Sequence, residues 1–271
     1  MANEEKRMAF EVEKNGRIFA IGCIIFQDDS FEISINDMTQ EEEKARMKRQ
    51  LTQNIAHELK TPVSSIQGYL ETIVNNPDLP RERINVFLER SYAQSNRLTH
   101  LLRDISLLTR MEEAPNMAEK EYIDLKLMLK NIFDEVALQL EEKQITARNL
   151  LPDDISIQGN SSLLYSIFRN LTDNAIAYAG TNISITVSCF RQDEQFYYFS
   201  FADTGIGIGA EHLGRIFERF YRVDKGRSRK LGGTGLGLAI VKNAVLLHGG
   251  TIFAKNNPEG GLEFIFSLAK E

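Results

Sequence analysis

Cysteine is nearly absent: Cys23 and Cys189 are the two in 271 residues, far apart, which points to a reducing compartment and excludes a disulfide framework. Long apolar runs are missing too. The longest, residues 18–26 (IFAIGCIIF), is about half of the ~18–20 residues that span a bilayer as a helix. No membrane contact is expected within this chain, although an anchor elsewhere in a longer protein is left open. The start, MANEEKRMAFEVEK, is too charged for a secretion signal. There is no basic excess: 32 Lys and Arg against 38 Asp and Glu give a formal net charge of −6. That balance argues against nucleic acid as a partner. No cluster of His, Cys and carboxylates has zinc spacing, and there is no internal repeat or low-complexity tract. What remains is a chain long enough for about two domains with a sizeable core, expected in the cytoplasm as a whole protein or as a cytoplasmic portion.

Residues 8–36 alternate in strand fashion, with Asn15-Gly16 a hairpin signal and Asp28-Asp29-Ser30 a second turn. The pattern predicts a three-stranded antiparallel meander. Such a sheet, uncovered by any helix, buries too little to stand alone. It is expected to belong to something larger or to pack on a partner, and the chain reads as trimmed at its N-terminus. Thr39, with Glu42 three residues on, reads as a capping box opening a long helix. Met47, Leu51, Ile55, Leu59, Val63, Ile66, Leu70 and Ile73 then recur at steps of three and four, one stripe of an amphipathic helix. The helix ends near Asn75, because each proline of NNPDLP (residues 75–80) lacks an N–H and restricts its predecessor. A second stripe, Ile84, Phe87, Leu88, Ser91, Leu98, Leu101, Leu102, Ile105 and Leu108, runs to Glu112-Glu113-Ala114-Pro115. Two long helices joined by a short loop pack antiparallel. One hairpin leaves much of each stripe uncovered, so a homodimer through residues 40–112 is expected, forming a four-helix bundle around a two-fold axis.

After Pro115 helices and strands alternate. Helices are predicted near 124–143, 160–178 and 235–248, strands near 145–149, 155–158, 182–191 and 195–202, and a closing hairpin at 250–268. Ile183, Ile185, Val187 and Cys189 alternate with polar residues, as do Phe199 and Phe201 on the next strand. One face of the sheet therefore lies in the core and the other meets solvent. Helices on one face only make an α/β two-layer sandwich, in contrast to a doubly wound sheet.

On the first long helix His57 lies two residues past Ile55, about 200° around the axis, and so points away from the apolar stripe. Glu58 adjoins it and Thr61 follows one turn on. Pro62 has no N–H for the Glu58 carbonyl, so the helix is expected to bend there. A neutral imidazole is nucleophilic, and a neighbouring carboxylate can orient it and accept its proton. An exposed helical histidine alone carries no chemistry; its surroundings do. HELKTP within NIAHELKTPVSSIQGYLE resembles the phosphoacceptor box of sensor histidine kinases, and the hairpin resembles their dimerisation and phosphotransfer domain. That resemblance implies that His57 is phosphorylated, that Glu58 is the acid/base activating it, and that Thr61 positions water when the partner is dephosphorylated. Lys60 reads as a solvated residue. His100, His212 and His248 read as structural, with His248 a cation at a helix end where the dipole favours it.

Four elements of the C-terminal half converge on a nucleotide. Asn170 and Asn174 in RNLTDNAIAY share a helical face, and their amide oxygens can ligate a hard cation without repelling phosphates. YYFSFAD ends at Asp203, a carboxylate able to accept from an adenine amino group, and TGIGI follows with Gly205 and Gly207. GGTGLGLAI places glycines ahead of a helix whose free N–H groups suit phosphate. Between them, IFERFYRVDKGRSRKL is a basic stretch able to close over a triphosphate. The ordered series NxxxN, DxGxG, FxRF, GTGLGL resembles the asparagine, first glycine, phenylalanine and second glycine boxes of the histidine kinase ATPase domain, the Bergerat fold shared with gyrase, the mismatch-repair ATPase and a heat-shock chaperone. The resemblance implies ATP with Mg²⁺, Asn174 as the main ligand and Asn170 beside it, Asp203 on the adenine, and Tyr178 packed near the base. It also implies Arg222 on the phosphates, Gly233, Thr234, Gly235, Leu236 and Gly237 as phosphate turn and lid hinge, and Phe217 and Phe220 anchoring the lid. Ala177 stands where the family often has a phosphate-binding lysine, which weakens nucleotide binding unless Lys225 or Arg227 compensates. Lys225, Arg227, Arg229 and Lys230 taken singly also fit a solvated loop. The strands ending in NDMT resemble the tail of a PAS-type sensor domain, another juxtamembrane input module being the second reading.

The chain is thus read as α+β and multidomain: sensor strands and linker over 1–38, a dimerising phosphotransfer hairpin over 39–113, and an ATP-binding domain over 114–271. The expected activity is ATP-dependent phosphorylation of His57, transfer to an aspartate of a response regulator, and dephosphorylation of that partner. The alternatives are an ATPase of the same superfamily or a kinase-dead dimeric scaffold.

Overall fold

The computed structural model describes residues 6–26, 30–113, 120–224, 233–258 and 260–271. The turn expected at Asp28-Asp29, the break at Pro115, and Lys225, Arg227, Arg229, Lys230 and Gly232 lie outside the described residues. The chain divides into two compact units, Met1–Lys60 and Thr61–Glu271.

In the first unit β1 (Lys6–Lys14), β2 (Arg17–Ile25) and β3 (Phe31–Asp37) form an antiparallel sheet in that order. Asn15 (φ 53°) and Gly16 (φ 74°) are both left-handed, which is what a two-residue primed turn needs. Met8, Phe10, Val12, Phe31, Ile33 and Ile35 are exposed, so the sheet leaves much of its apolar surface bare. Helix α1 (Thr39–Val74) follows at once. Its capping differs from the expected box. Thr39 donates from backbone and hydroxyl to Asp37 Oδ1 (3.1 and 2.5 Å), while its Oγ1 accepts from Ile18 N–H at 2.9 Å. The hydroxyl is engaged in tying strand to helix, and Asp37 does the capping. Those bonds hold the Asp37 carboxyl below its ordinary pKa.

The second unit takes up α1 from Thr61. Helicity continues through Pro62, which is the buried residue of α1. Helix α2 (Arg81–Glu113) returns antiparallel, with Tyr69 and Phe87 stacked at 5.8 Å near the connection and Arg90 over the Tyr69 ring.

Beyond it, β4 (Glu121–Asp124) pairs with β6 (Ser156–Gly159). β4 was not expected, since four residues are too few to display alternation. The single helix expected near 124–143 is two, α3 (Leu125–Glu135) and α4 (Ala137–Glu142). They are parted at Val136, which leaves helical geometry (φ −105°, ψ 11°) to bury its side chain at 1% exposure. The main sheet is β5 (Thr146–Leu150), β7 (Ser184–Gln192), β8 (Phe196–Asp203), β10 (Leu262–Ala269) and β9 (Ile252–Asn256), in that spatial order. Only β5–β7 is parallel. Helices α5 (Ser161–Tyr178) and α7 (Gly237–Leu247) cover its inner face with α3, and a short α6 (Ala210–Leu213) precedes α7. Phe168 of α5 meets Phe199 and Phe266 edge-on at 6.2 and 5.9 Å, and those two rings stack at 5.1 Å. All three are fully buried, and such pairs add to the apolar burial that holds the two layers together. This is the expected two-layer sandwich.

Candidate functional site

Helix α5 buries Leu164, Ile167, Phe168, Leu171 and Ala175 at helical spacing. Residues a third of a turn away must therefore face outward, and Asn170, Asp173, Asn174, Ala177 and Tyr178 line a cavity of about 820 Å³, within the range of small-molecule sites. Asn160 starts the helix by accepting from Leu163 N–H at 2.9 Å. Asn170 Nδ2 donates to Ser166 O at 2.8 Å, which fixes the amide and leaves Oδ1 as acceptor. A Cβ on Gly237 would sit 2.7 Å from that oxygen, so the glycine at the start of α7 is what lets the two segments close.

Asp203 enters from the sheet. Alternation along β8 puts it on the face of Phe199 and Phe201, so it is buried at 4% exposure. Its Oδ1 accepts from Gly205 N–H at 2.8 Å and from Leu262 N–H at 3.3 Å. Burial raises the Asp203 carboxyl above its ordinary pKa despite those bonds. A Cβ on Gly205 would lie 2.3 Å from Ala179 O, so this loop packs directly on the end of α5. Asn256 holds its next turn, accepting from Ile208 N–H at 3.1 Å and donating to Ile208 O at 2.6 Å.

The glycine turn closes the other side. Gly235 has φ 75°, which side chains rarely adopt, and a Cβ there would lie 3.0 Å from Phe220 Cα and 3.3 Å from Arg222 Nε. Phe220, itself left-handed at φ 62°, donates its N–H to Gly235 O at 2.7 Å. Phe217 packs edge-on against Phe264 at 6.2 Å. The start of α7 has no side-chain cap, leaving its N–H groups for an anion at the cavity, where Gly207, Arg222, Gly233, Thr234, Gly235 and Gly237 also stand. Leu236 is fully buried behind them.

One wall was not read from the sequence. His100, Arg103, Asp104 and Leu107 of α2 line the same cavity. Thr234 Oγ1 donates to Asp104 Oδ2 at 2.8 Å and accepts from Leu236 N–H at 3.2 Å. Burial raises the Asp104 carboxyl and the Thr234 bond opposes that shift. Arg219 and Glu112 add an ion pair between α2 and the sandwich. The helical period that marks Asp104 as off the apolar stripe was the available signal, but nothing local says which element it meets. His248 is buried and neutral rather than a cation. Its Nε2 accepts from Asn160 N–H at 3.2 Å, so Nδ1 carries the proton toward Ala244 O at 2.8 Å, and burial lowers its pKa below the ordinary 6.5. His212 bonds Tyr221 Oη through Nδ1 at 2.7 Å.

His57 stands exposed on α1, as its position opposite the stripe requires, with Glu58 half-buried; Thr61, one turn on, is also half-buried.

Residues 47–114 match the "His Kinase A (phospho-acceptor) domain" family and residues 159–271 the "Histidine kinase-, DNA gyrase B-, and HSP90-like ATPase" family. The chain is 29% identical over 276 residues to sensor histidine kinase WalK of Bacillus subtilis, covering 99% of this chain and 45% of that protein. It is 31% identical over 247 residues to the sensor-like histidine kinase SenX3 of Mycolicibacterium smegmatis, 90% of this chain and 64% of the other. The chain spans about half to two thirds of the length of these relatives. In fold it resembles histidine kinase ThkA, crystallised in complex with response regulator protein TrrA, with TM-score 0.64 at 20% identity over 98% of this chain and 79% of that one.

Proposed function

The chain belongs to the bacterial two-component sensor histidine kinases, and from that premise we propose that it transfers the γ-phosphoryl group of ATP to His57 and then to an aspartate of a response regulator. The observation that carries this reading is one cavity gathering Asn170, Asn174, Asp203, Arg222 and the Gly233–Gly237 turn, in a chain that also exposes His57 within HELKTP. The ATP would lie with its adenine amino group on Asp203, whose Oδ1 is already held by two backbone N–H groups, leaving Oδ2 as acceptor. Tyr178 flanks the base. The uncapped start of α7 and Arg222 face the polyphosphate.

The donor set suits Mg²⁺: Asn170 and Asn174 offer neutral amide oxygens one helical turn apart, and Asn170 is oriented by its bond to Ser166. Mg²⁺ held there, mainly by Asn174, supplies charge neutralisation across the phosphates. An imidazole nitrogen of His57 attacks the γ-phosphorus in line as the bond to the bridging oxygen breaks and ADP leaves. Glu58 takes the imidazole proton. The protein contributes mostly positioning and electrostatics. Thr61 positions water for the reverse task, dephosphorylating the regulator, and ThkA, found with TrrA, supports a regulator as the partner.

The functional division follows 1–38, 39–113 and 114–271, with the hairpin dimerising. Among the described residues no helix is long and apolar enough to cross a membrane, in keeping with a cytoplasmic kinase portion. Incubation with Mg²⁺ and γ-labelled ATP, beside His57→Gln, tests the whole reading. Acid-labile, base-stable label on the parent chain alone is expected. Label persisting in His57→Gln would show a different acceptor, and absence of label with ATP bound would favour a dimeric scaffold.

A further inference from the structure

Resting on that reading, we propose that helix α2 is a strap over the phosphate side of the nucleotide cavity, pinned by Asp104 to Thr234 and by Glu112 to Arg219, and that nucleotide and strap compete for the same turn. The two pins lie eight residues apart on α2, about two turns and 12 Å of helix. One grips the glycine turn and the other the segment carrying Phe217 and Phe220. Phe220 N–H to Gly235 O ties those two segments together at 2.7 Å, so a pull on one reaches the other.

Competition follows from chemistry. The Thr234 hydroxyl has one proton to donate, and in the docked arrangement Asp104 holds it at 2.8 Å. A phosphate oxygen at this turn must displace that carboxylate. Asp104 of α2 lines the cavity, so docking adds a negative charge beside the place where polyphosphate must lie, next to Asp173 of α5, which Arg169 already pairs at 3.0 Å. Repulsion between like charges is several times stronger at a partly buried site than in water. His100 and Arg103 stand on the same wall but are exposed, where solvent and salt screen them more than half-buried Asp104. Because linkage is reciprocal, whatever affinity docking removes from nucleotide, nucleotide removes from docking. Loading ATP and releasing the ATPase domain from α2 are then one event.

The test measures Mg·ADP affinity by titration calorimetry on the full chain, the Asp104→Asn variant and the Glu112→Gln variant. Asp104→Asn keeps the shape, removes the charge and weakens the pin, and is expected to tighten ADP about tenfold, within the usual span of coupling between sites. Glu112→Gln leaves the Asp104 charge and is expected to tighten it a few-fold. A second readout needs no variant: hydrogen exchange over residues 98–112 of the parent chain should quicken on adding Mg·ADP. Affinity unchanged or weakened in Asp104→Asn, or exchange slowed by ADP, overturns the strap while leaving the kinase reading intact. Failure of every form to bind ADP overturns the kinase reading, and the strap with it.

Discussion

At Asp203 strand alternation sets a carboxylate on the face of Phe199 and Phe201, among fully buried rings, where among the described residues the N–H groups of Gly205 and Leu262 stabilise its charge. Burial outweighs them and the pKa is raised from 3.8. A raised carboxyl costs the fold nothing at acid pH, where folded and unfolded chains both carry the proton. The cost grows as pH climbs from the unfolded value through the folded one and is complete once the folded carboxyl is ionised. Asp203→Asn keeps the Oδ1 acceptor for Gly205 and Leu262 and removes the charge. Thermal unfolding without nucleotide should therefore show Asp203→Asn more stable than the parent at pH 7.5, with the gap closing toward pH 4. The same variant should lose ATP binding at least tenfold, because the amide cannot replace the carboxylate toward the adenine amino group. A variant less stable at pH 7.5 would mean that the charge is better compensated than its surroundings indicate.

Helix α1 carries His57, the proposed phosphoacceptor, and its proline five residues apart. Pro62 interrupts the hydrogen-bond ladder yet is buried, and helicity runs through it from Thr39 to Val74. A proline in a helix interior costs roughly 3 kcal/mol against alanine, while its ring recovers roughly 0.8 kcal/mol per buried methylene. Pro62→Ala should thus stabilise the chain by about 1 kcal/mol, read by denaturant unfolding. It should also shift the ratio of kinase to phosphatase activity while ADP affinity stays constant, since Pro62 is not among the residues that line the cavity. Equal loss of both activities would rule out Pro62 as the element that sets the balance.

Across the whole molecule, the long helices hold apolar surface that one copy does not cover. Val74 is 76% exposed, Leu70 43%, Leu88 48% and Leu102 49%, whereas the ATPase layer buries most of its large aliphatic side chains. Large apolar side chains left bare along two long helices mark an interaction face, and a second copy about a two-fold axis would cover both stripes at once. Leu70→Glu combined with Leu88→Glu should turn a dimer into a monomer by light scattering, with ADP affinity unchanged within about twofold. A parent chain already monomeric at micromolar concentration would refute the bundle.

The sequence by itself determined everything that repeats at short range. Steps of three and four gave both long helices, strand alternation gave the one-sided sheet, and the spacing of Asn170 from Asn174 and of Gly233 from Gly237 placed the cavity residues. HELKTP located an exposed histidine. Each is decided within a turn or a strand, where backbone geometry translates spacing directly into facing. The tertiary structure alone decided what depends on a neighbour distant in the chain: Val136 splitting one helix to fill the core, Asp37 taking the cap from Thr39, and His248 staying neutral because packing buries it, with Asn160 N–H donating to its Nε2. Asp104 is the clearest case. Its spacing says only that it is off the apolar stripe, and 130 residues separate it from Thr234. The contact arises from packing α2 on α7, since a surface carboxylate carries no local signal of which donor the fold will bring to it.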